Sequence, residues 1–249
     1  MIKLKSESDI GKIRASCDIL SETYREIVKM VDVGVSLLEI DSYTRDFIRK
    51  RGGKPAFLGY QGFPASICIS VNSVVIHGIP DKRKVKAGDI VSLDLGVDLN
   101  GYISDAACTV PVGAISKEVE TLLRVTRECL QLGIGQARAG NRVKDISSAV
   151  YDHADEHGFG VVRQFCGHGV GFSLHEDPQI PNYVGPGPNP RLKNGMVLAI
   201  EPMINLGSDE VEILDDGWTV ETVDRSLSAH FEHTVAVFKE HTEILTALP

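Results

Sequence analysis

The feature that most constrains this chain is an internal repeat. Gly34 aligns with Gly140, Leu37 with Val143, Glu39 with Asp145, Ile40 with Ile146, Ser42 with Ser148 and Gly52 with Gly158, each pair 106 residues apart. One register fits the glycine breaks as well as the apolar positions. A duplication whose halves pack on each other is the simplest source of such a pattern. The halves run roughly over residues 1–110 and 111–249 of one domain, with no linker between them.

Each half opens with two helices. In the first, Ser6 and Asp9 make a start signal, and Ile10, Ile13, Cys17, Leu20, Tyr24, Ile27 and Val31 follow at helical spacing. Gly34 breaks the run, and a second helix is expected from Ser36 to Arg51, stopped by Gly52-Gly53. In the second half, Ser116 starts a helix and Gly140 ends it. A further helix then carries Val143, Ile146, Val150 and Ala154 up to Gly158. After each helix pair come β-rich stretches: Ser66–Val71, Ile90–Val97 and Tyr102–Val110, then Val161–Gln164, Met196–Ile200, Trp218–Thr222 and His233–Phe238. Helices and then hairpins, twice over, predict an α+β fold with helices packed on a curved antiparallel sheet.

Composition narrows the function. The 249 residues carry 26 Lys and Arg against 34 Asp and Glu, a net charge of −8 that argues against nucleic acid held by bulk electrostatics. No apolar run is long enough to span a membrane, and the first residues lack the apolar core of a secretory signal. The five cysteines show no CxxC spacing and read as reduced thiols in a cytoplasmic setting.

The sharpest local signal is VSLDLGVDLNGYISDAACTV. Asn100-Gly101 is a two-residue hairpin turn. It sets Asp94 opposite Ala107 with Asp105 two residues along, or, in a shifted register, Asp94 opposite Asp105. Both registers put two carboxylates on one sheet face, where they repel unless a cation lies between them. Solvated acids on a half-exposed strand are the plainer alternative. The second half adds His168 between glycines, where backbone can approach a ligand closely, and Glu201 and Glu232 at the ends of apolar strands. An oxygen-rich set with one imidazole suits Mn²⁺, Fe²⁺, Co²⁺ or Zn²⁺. Four carboxylates carry more charge than one divalent ion balances, so two ions are expected. Such a pair activates a water for attack on a carbonyl or phosphoryl centre. On residues alone, a two-metal phosphoesterase stays open.

The succession His77-Gly-Ile-Pro, Asp94, Asp105, Gly-His168-Gly-Val-Gly, His175-Glu-Asp-Pro, Glu201-Pro-Met and Phe-Glu232-His-Thr resembles the type I methionine aminopeptidases over nearly the whole chain. The short bacterial form is the closer likeness, since neither an N-terminal Cys/His knuckle extension nor a large helical insertion is visible. The resemblance implies a pita-bread fold and removal of initiator methionine from nascent chains. It implies five metal ligands, Asp94, Asp105, His168, Glu201 and Glu232, with Asp105 and Glu232 bridging two ions and Glu201 shuttling a proton. It places His77 near the substrate N-terminus and His175 on the scissile peptide. Tyr60, Phe63, Cys68, Leu174 and Trp218 would line the methionine pocket, and Asn72, Val74 and Ser228 would hold a monovalent cation. A ribosome contact and a monomeric state are further expectations.

Three positions depart from that pattern. Phe63 stands where tyrosine is common, Leu174 where an aromatic is common, and Phe57 where cysteine is often found. Prolidases and Xaa-Pro aminopeptidases are the nearest rival reading, and a catalytically dead binding module is the rival of another class.

Overall fold

Four helices form where the capping residues and glycine breaks require them. In the computed structural model, which describes residues 1–247, α1 spans Glu7–Met30, α2 Leu37–Lys50, α3 Lys117–Gln136 and α4 Val143–Glu156. Ser6 caps α1 and Ser36 caps α2, each in a reciprocal box with the acid three residues on (Asp9 and Glu39), and Ser116 caps α3. Past the helix ends, Gly34, Gly52, Gly140 and Gly158 all take positive φ, between 73° and 102°, which costs glycine little. The repeat extends to hydrogen bonds. The Gly34 amide donates to the Val85 carbonyl and the Gly140 amide to that of Leu192, both at 2.9 Å. Ser36 and Arg142 each form an isolated bridge, to Lys84 and Arg191.

The helices pack on a nine-stranded antiparallel sheet whose middle repeats the same symmetry. At its centre Tyr102–Pro111 pairs with Glu232–Val237. Ile90–Leu99 flanks the first and Val197–Ile200 the second, and outside these lie Cys68–Val71 and Gly167–Gly169. The central pair closes around Ala107 opposite Glu232. To one side the Thr109 hydroxyl donates to the His230 carbonyl at 2.8 Å; to the other the Thr234 hydroxyl donates to that of Asp105 at 2.6 Å. Two threonines thus tie the halves together by matching bonds.

Strand alternation divides the faces. Val91, Leu93, Leu95 and Val97 enter the main core with Leu20, Tyr24 and Ile27 of α1, Ile40 of α2, Leu122 of α3 and Ile146 of α4. Ser92 and Asp94 point the other way. Tyr24 is fully buried, and its hydroxyl donates to the carbonyls of Leu93 and Ala106 beneath the carboxylate-bearing strands. All five cysteines are free, four of them buried.

Several expected strands are shorter than their sequences suggest: Ser66–Val71 starts at Cys68 and Met196–Ile200 at Val197. Val161–Gln164 contributes only Gly160–Val161, which pair with Ile204 and Asn205. Trp218–Thr222 begins at Val220 because the Asp216 carboxylate accepts the amides of Trp218 and Thr219 at 2.8 Å each, holding those residues in a turn. Among the described residues, no helix is long and apolar enough to cross a membrane.

Candidate metal centre

The hairpin at Asn100-Gly101 settles the register. Both turn residues take positive φ, 55° and 84°, as a type I′ turn requires. Asp94 lies opposite Ala107, and Asp105 opposite Gly96. Asp94 and Asp105 therefore share a face, on neighbouring strands. The second half supplies the partners: Glu232 opens the strand beside Asp105, and Glu201 follows directly on Val197–Ile200. The Asn182 side-chain amide donates to the Glu201 carbonyl at 3.0 Å, which fixes the backbone there.

His168 completes the group. Its Nδ1 lies 2.9 Å from the Gly169 carbonyl, and that partner selects the tautomer with the proton on Nδ1. Nε2 then turns its lone pair toward Glu201 Oε1 at 3.4 Å and Asp105 Oδ2 at 3.8 Å. Ligand atoms of Asp105, His168 and Glu232 all come within 4.8 Å of one another. Burial lowers the His168 pKa to about 3, with His175 adding to the effect, so the imidazole is neutral and ready to ligate.

Burial also raises every carboxylate here. Asp94 moves up to about 7, chiefly through desolvation, and Asp105, Glu201 and Glu232 stand well above the usual range for the same reason. Asp94 Oδ1, Asp105 Oδ1 and Glu232 Oε1 are buried without any hydrogen-bond partner. Orphaned carboxylate oxygens are costly inside a protein, and three of them in the cavity that His168 also lines fit a divalent cation. No protein donor does that work here.

The glycines around His168 have a different purpose from the one expected. They admit neighbouring strands: a Cβ at Gly167 would collide with the Ala199 carbonyl oxygen, and one at Gly169 with that of Asp177. Gly167→Ala should therefore destabilise by about 1–3 kcal/mol, lower Tm by roughly 2–12 °C and weaken Mn²⁺ binding by moving His168. An unchanged Tm in calorimetry would refute this account.

An apolar pocket opens beside the carboxylates. Phe63, Cys68 and Leu174 are buried in one cluster with Phe57 and Ala65, and Tyr60 and Trp218 pack against it. The Phe63 and Trp218 rings meet edge to face at 5.1 Å. The five expected lining residues share this cavity with His77, His175 and all five expected ligands. His77 takes a left-handed conformation, φ 58°, and its ring stands edge-on to Phe165 and Trp218. His175 Nδ1 lies 2.8 Å from the Tyr60 hydroxyl, and its ring centroid is 4.3 Å from that of His168. Burial lowers both: His77 to about 4, and His175 downward.

Asn72, Val74 and Ser228 lie away from this cavity. The Asn72 carbonyl accepts the Ser228 amide at 2.9 Å, and Val74 sits two residues along, in Val74–Ile76.

Two neighbours, Gln61 and His230, were not anticipated as site residues. Gln61 and Phe57 line the pocket, and Phe57 fits because Gly96 leaves room for its ring edge. His230 is 1% exposed, both its nitrogens lack partners, and Nε2 lies 3.5 Å from Glu201 Oε2. Two-residue alternation from Glu232 was the available signal, since it places His230 on the same strand face.

A family model, metallopeptidase family M24, matches residues 11–239. A methionine aminopeptidase of Treponema pallidum is 54% identical over 99% of this chain and 96% of its own length. The crystal structure of methionine aminopeptidase from Rickettsia prowazekii superposes with a TM-score of 0.96 at 40% identity, covering 99% of this chain and 100% of that one. A prolidase from Pyrococcus furiosus shares the fold, with a TM-score of 0.82 at 24% identity over 66% of its chain. The doubled helix-and-hairpin plan is thus the expected pita-bread architecture. The chain belongs to metallopeptidase family M24 and, within it, to the methionine aminopeptidases.

Proposed function

We propose that the chain removes N-terminal methionine from nascent proteins and peptides by metal-dependent hydrolysis of the first peptide bond. The observation that carries this reading is the set of three unpartnered buried carboxylate oxygens, beside His168, on the wall of an apolar pocket. Asp94, Asp105, His168, Glu201 and Glu232 would hold two divalent ions drawn from Mn, Fe, Co and Zn. Four carboxylates and a neutral imidazole balance two such charges. When bound, divalent ions lower the pKa of a water and polarise a carbonyl.

The chain's own residues supply the rest. Tyr60, Phe63, Cys68, Leu174 and Trp218 exclude water and take an unbranched thioether side chain. His77 lines the same cavity, where a substrate amine would lie. With the Tyr60 hydroxyl donating to Nδ1, His175 carries its proton on Nε2 and is left to donate to the scissile carbonyl oxygen. Glu201, whose carboxyl burial holds far above its usual range, is suited to take a proton and pass it to the departing amine. Asn72, Val74 and Ser228 would offer carbonyls to a monovalent cation. A cytoplasmic monomer working near the ribosome, where nascent N-termini emerge, belongs to the same proposal.

A residue following the methionine would lie against the carboxylate wall, with little room. Peptides beginning Met-Ala should be cleaved at least about tenfold faster than those beginning Met-Lys, as kcat/KM. Equal rates would sink the pocket assignment. A Met-Ala-Ser peptide, an Xaa-Pro peptide and a phosphate ester, each with and without EDTA, test the function itself. Turnover of the first alone, lost with EDTA and accompanied by two equivalents of bound metal, is expected. Preference for the Xaa-Pro peptide would make the chain a prolidase in chemistry.

A further inference from the structure

We infer that Glu176 is a positioning residue for the catalytic loop, acting through backbone amides and clamped from behind by Lys5. The inference deepens the proposed function and rests on His175 and Leu174 having the roles given above.

Residues 170–175 form the loop between the paired strands Gly167–Gly169 and Glu176–Ile180, and carry both Leu174 and His175. Glu176 stands at the loop base, opposite Gly169. Its carboxylate folds back over the loop. Oε1 accepts the Phe172 amide at 2.7 Å and the Ser173 amide at 2.9 Å, while Oε2 accepts from Lys5 Nζ at 2.6 Å. The two side chains are 1% and 3% exposed, so the pair is closed off from water.

Lys5 precedes α1 and lies 171 residues from its partner in sequence. Its stem runs beside Gly171, where a Cβ would lie 2.7 Å from Ile13 Cδ1 and 3.0 Å from Lys5 Cε. Gly171, at φ 132°, is the residue the passage of that stem requires. The Gly171 carbonyl in turn accepts the Ile103 amide at 2.7 Å. The loop is thus held at its tip by Glu176 and at its shoulder by Gly171. Between the Ser173 amide and Glu176 the chain has only Leu174 and His175 to place. The first drops into the apolar cluster, and the second reaches Tyr60. Releasing the two amides would free both side chains while leaving Asp94, Asp105 and Glu232 on their own strands and Glu201 at the end of Val197–Ile200.

Two double variants separate positioning from stability. Lys5→Met with Glu176→Gln removes both charges and keeps an acceptor for the amides; Lys5→Met with Glu176→Met removes the acceptor as well. Replacing a buried ion pair by neutral groups of similar volume leaves folding largely intact. The Gln version should keep kcat on a Met-Ala-Ser peptide within about threefold, whereas the Met version should lose about 10–100-fold. Mn²⁺ affinity by calorimetry should match wild type in both. In ¹⁵N-imidazole NMR spectra the His175 signal should be retained with Gln and displaced or broadened with Met. Equal kcat and an unmoved His175 signal in both variants would overturn the inference, as would equal losses in both. If wild type fails to cleave the peptide, the functional reading fails, and the His175 signal still judges the positioning.

Discussion

His175→Ala should leave bound metal unchanged and lower kcat by about 10²–10³, the usual loss for one donor to a developing oxyanion. The site explains why two histidines seven residues apart should respond so differently. His168 has its Nδ1 bound to the Gly169 carbonyl and its Nε2 aimed at Asp105 and Glu201. Both its ring nitrogens are committed, leaving none to donate to a substrate. The His175 ring is tilted against that of His168, 4.3 Å between centroids, and its Nδ1 is taken by the Tyr60 hydroxyl. His168→Ala should therefore lose metal affinity and recover part of its activity in excess metal, whereas His175→Ala should gain nothing from it. Metal analysis and circular dichroism on both variants check the assignment. Metal loss in His175→Ala, or a full complement in His168→Ala, would reverse the two roles.

Local chemistry made much of this site legible in the sequence. Asn100-Gly101 fixes one turn geometry and hence one register, so the shared face of Asp94 and Asp105 could be read from a single hairpin. The helix pairs were legible because the same glycine breaks and the same capping acids recur: Glu39 and Asp145 cap α2 and α4 from equivalent positions. Long-range pairing was not legible. Nothing in either half announces that Tyr102–Pro111 joins Glu232–Val237, since that union depends on Thr109 and Thr234 bonding to carbonyls more than a hundred residues away. Pairing inside the second half was equally silent: His230 reaches Glu201 because it lies opposite Met203 on the neighbouring strand. The purpose of Gly167 and Gly169 was misread for the same reason, because the strands they admit are distant in sequence or bend back through a loop. Nothing in the sequence marks Lys5, which is 5% exposed in the fold.

Stripping the metal should make the protein's stability depend steeply on pH near neutrality. Folded and metal-free, Asp94 titrates near 7 against an ordinary 3.8, and Asp105, Glu201 and Glu232 lie well above their ordinary values, all chiefly through burial. The folded chain then binds more protons than the unfolded one. Stability is full below the unfolded values and is lost as pH rises toward the folded ones. The buried histidines work in the opposite sense. His168 falls to about 3 and His77 to about 4 from 6.5, so each withdraws stability as pH drops below 6.5. Between pH 6.5 and 8 each buried histidine returns only about 0.4 kcal/mol, and the carboxylates decide the outcome. A carboxyl that stays protonated in the folded state across that window costs about 2 kcal/mol. For a chain of this size that is roughly 4–8 °C in Tm. The EDTA-treated protein should therefore melt several degrees lower at pH 8 than at pH 6.5, while the Mn²⁺-loaded protein, its carboxylates already ionised and paired, should change little. Loading the stripped protein should also release protons, read as a binding enthalpy that varies with the ionisation enthalpy of the buffer. A stripped protein whose Tm is flat across this range, or a binding enthalpy independent of buffer, would show that these carboxylates are ionised without any metal to balance them.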